Sequence, residues 1–275
     1  MDKKRVSYVP ERFLRFRRCL RDSIVQSFLS SPQQRILILA DAHLPLDNRH
    51  GAKQRLRQFQ NVIEHYRDNL GLLILLGDIF DFWWEWRTVV PKNATSLLFL
   101  VRELRNSGIP VHFFAGNHDF KISGYLECEI GMELHHDDWV AMIDRKKVYF
   151  HHGDGFAISD TNYRRMRRIF RNPVAQWGFG TLLHPDLAMN IGRFFSSLGE
   201  RKRGEKPYPH TPFLEYQDRV REILATGYDM VVIGHTHRPQ LIEFEEGIFH
   251  NPGPFLDRFC YSIIEGDLPV LKVWE

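Results

Sequence analysis

Short apolar runs recur along the chain, and each stops abruptly at a cluster of polar residues. Residues 36–40, 72–76, 109–115, 148–150 and 230–233 are too short for core helices and rich enough in Ile, Leu, Val and Phe to read as buried strands. They end, in order, in Asp41-Ala42-His43, Gly77-Asp78, Gly116-Asn117-His118-Asp119, His151-His152-Gly153-Asp154 and Gly234-His235-Thr236-His237. Helical periodicity falls between them, near 53–69 and over 95–106, the latter closed by Gly108. This alternation predicts βαβ units, a largely parallel sheet and helices on its faces. Residues 139–143 and 147–150 instead predict a hairpin across Asp144-Arg145-Lys146. Thr211-Pro212 predicts a helix to about Thr226, with threonine as N-cap and proline at the first helical position. Strand 230–233 and short strands running to Glu275 are expected to complete a second sheet.

Residues 11–29 carry a different pattern. Phe13, Phe16, Leu20, Ile24 and Phe28 recur at spacings of three and four beside Arg12, Arg15, Arg17, Arg18 and Arg21, and Ser30-Ser31-Pro32 closes the segment. Such a helix either packs on the core or lies in a membrane interface. Charge sharpens the contrast with the rest of the chain. The net +3 divides into +5 over residues 1–34, +7 over residues 163–206 and −9 over the remainder. Two basic blocks therefore face anionic partners from outside the strand framework. Cys19, Cys128 and Cys260 have no paired spacing, no apolar run approaches the roughly 18 residues of a membrane span, and no signal-peptide core is present. A cytoplasmic protein, at most peripheral to the inner face of the cytoplasmic membrane, is the expectation.

The strand ends carry the chemistry. Aspartate, histidine and an asparagine carbonyl, with no thiolate, suit manganese, iron or zinc better than a structural cysteine-zinc site. Asp41, His43, Asp78, Asn117, His152, His235 and His237 are too many for one tetrahedral ion. Two ions roughly 3.5–4 Å apart, sharing one carboxylate, would use all seven, and Asp78 is the natural bridge. Such a pair polarises a phosphoryl group and holds a nucleophile in line for attack on phosphorus. His118 either caps a loop or, with Asp119 orienting its ring, serves as an acid or a stabiliser of phosphate oxygens.

Asp-x-His, Gly-Asp, Gly-Asn-His-Asp, a later His and Gly-His-x-His in this order resemble the calcineurin-like metallophosphoesterase superfamily over residues 35–155 and 228–253. That resemblance implies a four-layer α/β/β/α sandwich with a di-metal centre. By it, Asp41, His43, Asp78 and His237 hold one ion, and Asp78, Asn117, His152 and His235 the other. Gly77-Asp78-Ile79-Phe80-Asp81-Phe82-Trp83, Gly116-Asn117-His118-Asp119-Phe120, His152-Gly153-Asp154-Gly155 followed by Asp160 and Tyr163, and the arginine-rich insert look like the UDP-2,3-diacylglucosamine diphosphatases. This implies cleavage of the pyrophosphate of UDP-2,3-diacylglucosamine to UMP and 2,3-diacylglucosamine 1-phosphate in lipid A synthesis, with manganese expected and iron or zinc as alternatives. One branch of that family has arginine where this chain has His118.

The expected organisation is a basic extension over residues 1–34 and a catalytic domain over 35–275, interrupted by a helical lid at about 156–210. In the lid, Tyr163, Met166, Ile169 and Phe170 alternate with Arg164, Arg165, Arg167, Arg168 and Arg171, and Trp177, Leu182, Leu187, Phe194 and Phe195 follow. The pattern alone fits two amphipathic helices packed on the sandwich. It also fits an apolar cleft for acyl chains beside an arginine cluster for diphosphate, with Asp160, Tyr163, Arg164, Arg168, Phe194, Phe195 and Trp83 touching the lipid-nucleotide substrate. The competing readings are a phosphoesterase for nucleotides, phosphoproteins or nucleic acid, and a non-catalytic scaffold. No nucleic-acid partner is expected, and the sequence leaves the oligomeric state open.

Overall fold

A computed structural model describes residues 34–45, 51–122, 124–157, 159, 161, 172–192, 194, 210–266 and 268–275. Two sheets carry the molecule. The first has six strands: β1 (Arg35–Leu39), β2 (Leu70–Leu75), β4 (Val111–Phe114) and β6 (Glu133–His135) run parallel, and β12 (Cys260–Glu265) and β13 (Leu268–Val273) extend it antiparallel beyond β1. In the second, β8 (Lys146–His151), β9 (Met230–Ile233) and β11 (Gly247–Asn251) are parallel, flanked by antiparallel β7 (Trp139–Ile143) and β10 (Gln240–Phe244). The expectation that the C-terminal strands complete the second sheet is corrected here. Only β10 and β11 do so; β12 returns to β1 and carries β13 with it.

Alternation along β1 shows why the sheets stack. Leu37 and Leu39 face α1 (Ala52–Tyr66) and α2 (Thr95–Asn106), joining Phe59, Val62, Leu97 and Val101 in one core. Ile36, Ile38 and Ala40 point the other way, against Val148, Phe150, Met230 and Val232 of the second sheet. The outer face of that sheet, through Val231, Ile233 and Phe249, packs on Tyr216, Val220, Ile223 and Leu224 of a helix at His210–Leu224. A strand buried on both faces has no polar side to show, which is why these segments are near-continuous apolar runs. The layers are helix, sheet, sheet, helix.

Two local expectations change. The last helix opens at His210, so Thr211 lies inside its first turn and is not the cap; Pro212 is accommodated there because first-turn amides have no intrahelical acceptor. The β7–β8 hairpin turns on Asp144 and Arg145 alone, both at positive φ as a two-residue reverse turn requires. The amphipathic segment over residues 11–29 lies outside the described residues. No helix among the described residues is long and apolar enough to cross a membrane.

Candidate metal centre

All five motifs lie at the C-terminal ends of parallel strands, β1, β2 and β4 of one sheet and β8 and β9 of the other. The turns out of β1 and β9 are each held by the turn of the neighbouring strand. The amides of Asp41 and His43 donate to the carbonyls of Gly77 and Asp78, at 3.1 and 2.9 Å, and the Gly234 amide donates to His152 at 2.9 Å. The sheets are joined at the same edge, where the His235 amide donates to Asp41 Oδ2 at 2.8 Å.

The backbone is strained where these side chains emerge. Of the eight described non-glycine residues at positive φ, five are Asp41, His43, Asp78, His235 and His237. Left-handed conformations cost non-glycine residues energy and persist where the surroundings over-determine them. The adjoining glycines have a steric origin. A Cβ on Gly77 would fall 2.3 Å from His152 Nδ1, and one on Gly116 would fall 2.2 Å from Asp78 Oδ1. The motif glycines let three strand ends close on one point.

At that point Asp41, His43 and His237 bring their ligand atoms within 4.8 Å of one another, and so do Asp78, His152 and His235. Asp78 connects the groups. Its Oδ1 accepts from the His118 amide at 2.8 Å, while Oδ2 lies 3.7 Å from His43 Nε2 and 3.5 Å from His152 Nε2. His237 Nε2 lies 3.5 Å from Asp41 Oδ1. Ligands about 2.1 Å from a common ion at tetrahedral angles stand roughly 3.4 Å apart, so these spacings suit donors sharing a cation. Asp41 Oδ1, Asn117 Oδ1 and His152 Nε2 are buried and make no hydrogen bond to the described residues. His152 donates from Nδ1 to the Leu76 carbonyl at 2.9 Å, which fixes the tautomer and turns Nε2 inward. The residues present fit a pair of divalent ions.

Electrostatics agree with that donor set. Burial opposes ionisation of Asp41 and Asp78, but the surrounding histidines hold both carboxyls below the usual range, Asp78 well below. Burial alone would discharge His152; the Asp78 carboxylate, with Asp41 and Asp154, raises it to about 10. His235 falls to about 4 through burial and the neighbouring His152 charge. A net negative, desolvated cluster of this kind attracts cations strongly.

The expected pairing of His118 with Asp119 is not what orients the imidazole. His118 Nδ1 donates to the Asp81 carbonyl at 2.8 Å, and its ring stands edge-on to that of His43 with centroids 4.5 Å apart. The Asp119 carboxylate instead accepts from the amides of Asp78 and Gly116, at 3.2 and 3.0 Å, tying two ligand loops together. Burial and the Asp78 charge push its carboxyl up to about 8. Residues that spacing did not single out support the same edge. Asn251 donates to the Gly234 carbonyl at 2.9 Å and to Thr236 at 3.0 Å, and Arg55 donates to the His43 carbonyl at 3.0 Å. Asp81 groups with His43 and His118 as a third possible ligand set. Asn251 and Arg55 carry no motif signal, since each acts on a backbone carbonyl.

Among the substrate candidates, Trp83 is core. It is fully buried, stacked on Phe80 at 4.7 Å, with its indole donating to Glu85 at 3.2 Å. Neighbours in a strand face opposite ways, so Trp84 and Phe82 turn toward the insert. There α3 (Pro173–Leu182) lays Phe179 on Trp84 at 4.5 Å, and Gly192 lies so close to Phe82 that an added Cβ would sit 2.5 Å from the ring. Phe194 is exposed, as are Val174, Trp177, Leu182 and Leu187. Asp160, Tyr163, Arg164, Arg168 and Phe195 lie outside the described residues.

Comparison with known proteins then decides the family. The calcineurin-like phosphoesterase family model matches residues 34–239. The chain is a calcineurin-like phosphoesterase. Members use a dinuclear metal site, and this one is a metal-dependent phosphoester hydrolase with the four-layer α/β/β/α fold. Among its relatives, a protein named UDP-2,3-diacylglucosamine hydrolase from Porphyromonas gingivalis is 31% identical over 223 residues, covering 74% of this phosphoesterase and 84% of the relative. Proteins of the same name from Pseudomonas putida strain W619 and Pseudomonas fluorescens are 29% and 28% identical, covering 75% and 77% of this chain and 83% and 82% of theirs.

Proposed function

We propose that this phosphoesterase hydrolyses the pyrophosphate of UDP-2,3-diacylglucosamine, releasing UMP and 2,3-diacylglucosamine 1-phosphate, a step of lipid A synthesis. The observation that carries the catalytic half is the position of Asp78 Oδ2, 3.7 Å from His43 and 3.5 Å from His152, between two groups of ligands. In this reading Asp41, His43, Asp78 and His237 hold one ion, and Asp78, Asn117, His152 and His235 the other. Bound there, the pair, manganese being our first choice, supplies charge neutralisation for the phosphoryl group and activation of water.

The chain's own residues do the positioning. With both ions bound, Asp78 would set one buried carboxylate against the repulsion between them. His118, fixed through Nδ1, presents its imidazole beside His43 to stabilise charge on phosphoryl oxygens or to protonate the leaving oxygen. Asp119 keeps the loops of Asp78 and Asn117 in register through two backbone amides. The lipid half of the reading is supported by the names of the relatives and by the insert. Its inner face meets Phe82 and Trp84, and its outer face exposes Val174, Trp177 and Leu182. Arg164 and Arg168 are assigned to the diphosphate, and Tyr163, Asp160, Phe194 and Phe195 to the rest of the substrate. The enzyme would then work in the cytoplasm, at the membrane that contains its substrate.

The test is hydrolysis of UDP-2,3-diacylglucosamine and of bare UDP-glucosamine by the full chain with added manganese, read by release of UMP. Much faster cleavage of the acylated substrate supports the reading. Equal rates reject it and direct the search to soluble phosphodiesters.

A further inference from the structure

Beyond the metal edge, a two-stranded ribbon leads toward the insert: β3 (Trp83–Trp84) runs parallel to β5 (Asp119–Lys121), pairing Trp83 with Asp119 and Trp84 with Lys121. The ribbon starts at Asp119, within the Gly-Asn-His-Asp loop, and ends beneath α3. Two indole N–H groups at that end, Trp84 Nε1 and Trp86 Nε1, are buried and meet no acceptor among the described residues. Trp84 is only 3% exposed, and its ring lies 6.2 Å from that of Trp86. Buried donors are nearly always satisfied, and an unmet one costs about 1–3 kcal/mol. Two side by side need an explanation. Trp83, one residue earlier in the ribbon, meets its need through Glu85.

The surroundings define what would satisfy them. Phe82 and Phe179 flank the Trp84 ring, at 6.4 and 4.5 Å. A methyl on Gly180 would touch Trp84 Nε1 and Cζ2 at 3.4 Å, so the backbone of α3 lies close to the N–H edge of this indole and no side chain is interposed there. Lys121 Nζ stands 5.5 Å from the centroid of the Trp84 ring; a cation on the π face draws electron density from the indole and strengthens its N–H as a donor. Neutral donors in an aromatic wall match a neutral acceptor better than a phosphate, which the metal edge already serves.

We infer that Trp84 and Trp86 form a subsite for the acyl carbonyl oxygens of the lipid substrate, with Gly180 keeping a side chain away from the N–H edge that meets the acceptor. The inference rests on the acylated-substrate reading proposed above. Every ester- or amide-linked acyl group has one carbonyl beside its alkyl chain, so the subsite reads the linkage while the apolar wall receives the chain. It holds the lipid at a fixed distance along the ribbon from His118 and Asp119.

The test uses the full chain labelled with ¹⁵N in its tryptophan indoles, with Trp84→Phe and Trp86→Phe assigning the two signals. Saturation with 2,3-diacylglucosamine 1-phosphate should move both N–H resonances downfield, and UMP should move neither. In kinetics, Trp84→Phe and, separately, Gly180→Ala should raise KM for UDP-2,3-diacylglucosamine about tenfold, the scale of one neutral hydrogen bond, with a clearly smaller rise for an ether-linked analogue that has no carbonyl. Gly180→Ala guards against a folding defect, because alanine favours the helix that it occupies. Unmoved indole signals, or equal KM changes for the acyl and ether substrates, overturn the subsite while hydrolysis of UDP-2,3-diacylglucosamine by the unaltered enzyme leaves the proposed function standing. Failure of that hydrolysis overturns both.

Discussion

The ligand edge and the insert solve opposite problems. At the edge, five strand ends converge, Asp41, His43, Asp78 and His152 are buried, and neighbouring backbone carbonyls and amides fix the loops. In the insert, residues 172–192 touch the sandwich through Phe179, Met189 and Gly192 on one side while Val174, Trp177, Leu182 and Leu187 stay exposed on the other. The first arrangement spends strain and desolvation to hold charge within tenths of an ångström. The second presents apolar area, which is not directional and tolerates variation. Chemistry that is shared across a family belongs on the edge, and the proposed function puts substrate choice on the insert.

The sharpest break of this division is at Asp78. Replacing it with alanine removes the carboxylate that lies within 4 Å of a histidine in each ligand group, His43 and His152. We expect activity to fall by at least about 10⁴-fold, more than a single electrostatic stabiliser is worth, with bound metal reduced to one ion or fewer per chain. Metal analysis of the purified variant checks this, and two retained ions would reassign the bridge. Asn117→Ala and His235→Ala should each deplete one ion preferentially.

His118 separates holding metal from using it. His118→Ala should lower turnover by about 10²–10⁴-fold, the range of an acid–base or charge-stabilising group, with metal content intact. Loss of an ion would place His118 among the ligands through its grouping with His43 and Asp81. Unchanged turnover would remove it from the chemistry.

The same division explains what could be read from residue order. Asp-x-His or Gly-Asp alone is a common loop, but five such motifs, each after an apolar strand, describe a parallel-strand edge, and the strands appear where the runs are. What escaped were groups acting through backbone carbonyls. Asn251 and Arg55 hold the Gly234 and His43 carbonyls with no fixed spacing to them, and the Asp81 carbonyl, not the Asp119 carboxylate, holds His118. The route of β12 and β13 to the first sheet was also hidden, because β12, buried at five of its six positions, reads as a core strand that fits beside either sheet. Trp83 and Trp84 were equivalent as letters; only the pleat assigns one to the core and the other to the wall.

A milder perturbation tests whether the insert selects substrate without contributing to hydrolysis itself. Phe194 is exposed, so a charge there has no core to disrupt. Phe194→Asp should lower kcat/KM for UDP-2,3-diacylglucosamine by about tenfold, equivalent to two buried methylenes, with far less effect on slow cleavage of a small phosphodiester. Equal losses on both substrates would show that the insert shapes the metal edge as well.

The smallest expected effect concerns the frame beneath the edge. His250 on β11 is fully buried and reaches across the sheets. Its Nε2 lies 2.8 Å from Ser262 Oγ of β12, and its Nδ1 3.1 Å from the Gln240 carbonyl. Burial lowers its imidazole to about 4, although the Gln240 carbonyl favours the charged form. Above the unfolded value near 6.5 both states are neutral, so the group adds no pH dependence. Below it the unfolded chain takes up a proton that the folded chain refuses, and stability falls with pH until about 4. At pH 5 this linkage amounts to about 2 kcal/mol. His250→Gln cannot titrate, so denaturant unfolding at pH 7 and pH 5 should show a stability drop about 2 kcal/mol smaller in the variant than in the parent, whatever the substitution does to stability at pH 7. Equal drops would mean that the imidazole is charged in the folded protein as readily as in the unfolded chain.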